Sequence, residues 1–65
     1  MREAIRRLQK DGRFYFEGMT REESRKAATD LARAATRDER KNGNESQYGI
    51  ARDAFGYYFA AVILG

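Results

Sequence analysis

The chain has 65 residues, with 13 basic against 10 acidic side chains, a net charge of +3, and neither cysteine nor histidine. That composition excludes disulfides, thiolate or imidazole metal sites, and the usual nucleophile–base dyads. A single domain of this size buries only about 60% of the surface its unfolded chain exposes, so further burial must come from close helix packing or self-association.

The first predicted element runs from Met1 to about Lys10. Met1, Ile5 and Leu8 recur at helical spacing among charged residues, and Asp11-Gly12 closes the helix. Arg13 to Glu17 follows, with Phe14, Tyr15 and Phe16 in succession. These rings are expected to staple the first helix to the rest of the chain.

The second predicted helix spans Arg21 to about Lys41. Thr20 with Glu23 has the spacing of a capping box, and Asn42-Gly43 is a stop signal. Its apolar face consists of Ala27, Ala28, Leu31, Ala34 and Ala35. Such a face buries little area but allows close approach.

The third segment begins near Asn44 and reaches Leu64. Ile50, Ala54, Tyr57, Ala61 and Leu64 repeat at 4-3-4-3 spacing, and no charge follows Asp53. That periodicity predicts a third helix, with a polar face of Gln47, Arg52 and Asp53 at first and burial all round after Asp53. The expected architecture is therefore one all-α domain over residues 1–65, its second and third helices forming an antiparallel helical hairpin. The alternative is a small α+β fold with strands near 13–17 and 57–64, because aromatics favour strands and a short apolar run is ambiguous in period.

The longest apolar run, Ala54 to Leu64, has 11 residues and is broken by Gly56. A membrane-spanning helix needs about 20. No leader-like apolar stretch follows the N-terminal Met-Arg-Glu, so the expected location is cytoplasmic.

Two surfaces are candidates for function. Phe55, Tyr57, Tyr58, Phe59, Val62 and Leu64 carry more apolar area than three short helices can surround. They are the expected interface with a partner protein or with a second copy in a dimer. Arg2, Arg6, Arg7, Lys10 and Arg13, together with Arg33, Arg37, Arg40 and Lys41, are the alternative: arginine-rich helix faces that neutralise nucleic-acid phosphates. The carboxylates Glu17, Glu22, Glu23, Asp30, Asp38, Glu39, Glu45 and Asp53 lie mostly among arginines at helical spacing. That pattern predicts a solvated charged face, with no catalytic residue, no cofactor and no metal. The glycines form no phosphate-binding loop. A membrane partner is disfavoured, since no basic face flanks the apolar end. The expected role is a small inhibitor or adaptor that occupies another protein's surface, as short accessory proteins of phages and mobile elements do. That likeness is one of size and composition, and no motif carries it.

Overall fold

The computed structural model describes residues 1–65. The order of elements is α1 (Arg2–Asp11), β1 (Arg13–Phe14), α2 (Arg21–Lys41), β2 (Gln47–Arg52) and β3 (Tyr58–Leu64). The strands form one antiparallel sheet in the order β1-β3-β2. Both helices lie on the same face of it, so the molecule has two layers.

The expected all-α architecture is thereby overturned: residues 44–64 form a loop and a hairpin, not a helix. Strands β1 and β3 fall within the ranges of the α+β alternative, and β2 was foreseen by neither reading. The cause is local. Asp53 Oδ1 accepts from the backbone N–H groups of Phe55 and Tyr57 at 2.9 and 3.0 Å, folding the chain back on itself. Gly56 sits in the turn at φ 90°, a conformation that side chains disfavour. A Cβ there would also lie 2.8 Å from Arg21 Nε, which donates to the Phe55 carbonyl and ties the turn to the start of α2.

Both helices end, and α2 begins, where the sequence places their signals. Thr20 and Glu23 close the capping box of α2 reciprocally. Gly12 ends α1 in the left-handed conformation at φ 79°. Its carbonyl then accepts from Val62 N–H, so the residue that stops α1 also starts the pairing with β3.

The core is small and alanine-rich: Leu8, Ala28, Leu31, Ala32, Ala35, Tyr48 and Ala60. Ala28, Ala32 and Ala35 of α2 and Ala60 of the central strand let helix and sheet approach closely. Leu8 and Leu31 are the largest apolar side chains fully buried in that layer.

Two hydroxyls of α2 finish the sheet. Ser24 Oγ accepts from Tyr58 N–H at 3.0 Å, where β1 is too short to continue. Thr36 Oγ1 accepts from Tyr48 N–H at 2.9 Å on the opposite edge. A buried ladder group without a partner costs about 1–3 kcal/mol. The helix thus supplies, at two corners, the hydrogen bonds that missing strands would have made.

Candidate functional site: the open face of the sheet

Successive residues of a strand point to opposite faces, and directly paired residues share one. Tyr48 and Ala60 are buried under α2, which assigns Tyr48, Ile50 and Arg52 to the inner face, with Tyr58, Ala60, Val62 and Phe14. The outer face consists of Gly49 and Ala51 on β2, Phe59, Ala61 and Ile63 on β3, and Arg13 on β1. Tyr15 joins it by stacking on Phe59, with ring centroids 4.6 Å apart.

No element covers this outer face. Ile63 is 65% exposed and Tyr15 53%. The relief is shallow. Gly49 and Ala61 form a low row between the Tyr15–Phe59 ridge and Ile63. The side chain of Ile63 leans towards Gly49, 3.3 Å from where a Cβ would be.

The six residues expected to form an aromatic interface do not share one surface, because a strand splits them. Phe59 lies on the outer face. Tyr58 faces inward against the core, with the guanidinium groups of Arg25 and Arg52 at 5.7 and 6.0 Å from its ring centre. Val62 and Leu64 are on the inner side, partly exposed at its margins. Phe55 projects from the hairpin turn, 76% exposed. Tyr57 lies in the same turn under the Arg21 guanidinium, 5.1 Å away. The helical expectation overlooked Tyr15, Ala51, Ala61 and Ile63. Their signal is the period of two through 59, 61 and 63 and the in–out–in order of Phe14, Tyr15 and Phe16. Phe14 and Phe16 do pack on the core, edge to face at 5.1 Å.

The basic residues also divide. Arg2, Arg6, Arg37, Arg40 and Lys41 line the groove between α1 and α2. Arg33 lies one turn further along, beside Tyr48. Arg7 pairs with Glu3 at 3.3 Å, Lys10 is exposed in the last turn of α1, and Arg13 is at the margin of the outer sheet face.

Among the titratable groups, Tyr48 departs most clearly from its ordinary value. Burial, then its hydrogen bond to Glu39, pushes the hydroxyl up to about 12. The tie is structural: it pins β2 to the last turns of α2. No group of three acidic side chains converges as a metal site would require. No helix is long and apolar enough to cross a membrane. No protein-family model, curated protein or solved structure matches the chain.

Proposed function

We propose that this chain is a protein-binding module that acts through the open face of its sheet, self-associates by that face, and serves as an inhibitor or adaptor and not as a catalyst. The observation that supports this reading is the composition of the outer face. A sheet with one covered face ordinarily alternates apolar-in with polar-out. Here the outward positions 49, 51, 59, 61 and 63 are Gly, Ala, Phe, Ala and Ile.

A second copy is the occupant this face fits. Its centre is uncharged, with Arg13 alone at the margin. A partner bearing carboxylates at its own centre would desolvate them without compensation. A second copy brings another uncharged centre, and its ridge can settle on Ala61, beside the Ile63 side chain that leans over Gly49.

The dimensions set the strength. Three strands about 4.8 Å apart and six residues at about 3.3 Å make a plate of roughly 300 Å². A standard interface uses about 800 Å² per partner. Self-association through this plate is therefore weak and reversible. It leaves the face free to exchange a second copy for another apolar surface, which is what an adaptor requires.

Sedimentation velocity from low micromolar to near-millimolar concentration tests this reading. The weight-average mass is expected to rise from one chain towards two, and Ile63→Glu is expected to hold it at one. A single chain at every concentration in the unaltered protein would overturn the proposal.

A further inference from the structure

The helix layer carries a second surface of opposite character. Between α1 and α2 runs an open groove lined by Ile5, Ala34 and the Asp38 carboxylate, which Gln9 occupies by a hydrogen bond. Arg2 and Arg6 stand along one wall, Arg37 and Lys41 along the other. Within each wall the cations are four residues apart, about 6 Å along the helix axis.

These cations have no partner of their own. The ion pairs of the molecule are Arg7–Glu3 and Lys26–Asp30. The nearby carboxylates serve neutral donors instead. Asp38 accepts from Gln9 Nε2 at 2.9 Å, and Glu39 accepts from the Tyr48 hydroxyl and from Asn44 Nδ2.

Helix electrostatics explains only part of this arrangement. The negative end of the α2 dipole favours cations in its last turn, which accounts for Lys41. It does not reach Arg37. At the start of α1 the dipole is positive and opposes Arg2. Folding gains nothing from a cation there, so a ligand is the better account.

We infer that this groove takes the phosphate backbone of a nucleic-acid duplex, without reading its sequence. Three of the four wall residues are arginines, whose planar fork matches phosphate oxygens bidentately. The groove is open and its cations are in rows, which suits a polymer with repeating phosphates better than a single small anion. No aromatic ring lines it to stack an unpaired base, which favours a duplex over a single strand. Met1 is the one exposed large apolar side chain beside it, too little to enter a lipid surface.

The test is fluorescence anisotropy with a labelled generic DNA duplex, using the whole chain. Four neutralised phosphates give a slope of log affinity against log salt of about −3.6, a fall of roughly 100-fold between about 50 and 200 mM. Arg6→Gln with Arg37→Gln is expected to reduce that slope by about 1.8 and to weaken low-salt binding more than tenfold. Arg25→Gln with Lys26→Gln removes the same charge from the other end of α2 and is expected to leave the slope unchanged. Circular dichroism confirms folding of both pairs. Repeating the titration with Ile63→Glu, whose sheet face is disabled, separates this inference from self-association. No binding at low salt, equal losses in both pairs, or tighter binding to phosphatidylserine vesicles than to the duplex would overturn it.

Discussion

Alternate residues of the same two strands build two different surfaces. The inner face of β2 and β3 meets an alanine-lined helix, and its unpaired backbone groups are completed by Ser24 and Thr36. The outer face has equally apolar residues and no layer above it. Hydrophobicity alone does not distinguish them. What does is the presence of small residues on α2 that bring it close, and of hydroxyls placed where the ladder ends. The inner face is the fold's source of stability. The outer face is surplus to the fold, and the proposed self-association would use it.

The difference can be broken most sharply from the inside. Leu31 is 2% exposed and is the largest apolar anchor of α2. Leu31→Ala is expected to cost about 2–5 kcal/mol in denaturant unfolding. A loss below about half a kcal/mol would show that the inner face is not held by that side chain. Next comes the corner hydroxyl. Ser24→Ala leaves the Tyr58 N–H buried without its acceptor, for an expected loss of about 1–3 kcal/mol. Hydrogen exchange at Tyr58 should accelerate in the same variant, and an unaltered rate would remove Ser24 from this role.

The two helices were legible in the sequence because their stop and start signals are local. Thr20–Glu23, Gly12 and Asn42-Gly43 act within a turn of the residues they terminate. The hairpin was not, and residues 50, 54, 57, 61 and 64 show why. They repeat as a helical stripe, yet the same positions alternate between strand and turn once the Asp53–Gly56 turn interrupts them. Gly49 and Gly56 weaken a helix, and Tyr58 to Leu64 is rich in β-formers, so the local preference opposed the periodicity. The candidate site inherited that error. A helix would have gathered Tyr58, Val62 and Phe59 into one belt, whereas strands send Tyr58 and Val62 inward and Phe59 outward. The basic groove was half legible: the spacing of residues 37, 40 and 41 put them on one side of α2, but Arg33, expected with them, lies one turn away, and only the packing of α1 on α2 brought Arg2 and Arg6 to the same groove.

Alkaline pH provides a milder probe of the inner face. The Tyr48 hydroxyl is held neutral to about 12, against 10.0 in an unfolded chain. The folded state therefore keeps a proton that the unfolded state releases between these values. This contribution is intact below pH 10 and is lost as pH rises from 10 to 12. Tyr48→Phe is expected to cost about 1 kcal/mol at neutral pH and to remove that part of the alkaline decline. Unfolding curves at several pH values check both. Parallel declines in the two proteins would show that the hydroxyl does not couple to folding.

The outer face should answer in the opposite manner, with the smallest effect on stability and the largest on assembly. Ile63 is exposed on a face that nothing in the chain covers, so Ile63→Ser shortens a side chain that leans over Gly49 and is otherwise largely in solvent. Its unfolding free energy measured at low concentration, where the chain is single, is expected to change by less than about 0.5 kcal/mol. At high concentration the unaltered protein should gain stability through association, because a partner that binds only the folded state shifts the equilibrium by mass action. The serine variant should not. The decisive quantity is thus the difference in melting temperature between dilute and concentrated samples, compared across the two proteins. A concentration-dependent rise in one and a flat response in the other ties the exposed side chain to assembly. Flat responses in both would place the outer face outside any self-association, and a large loss of stability in the dilute variant would mean that Ile63 belongs to the fold after all.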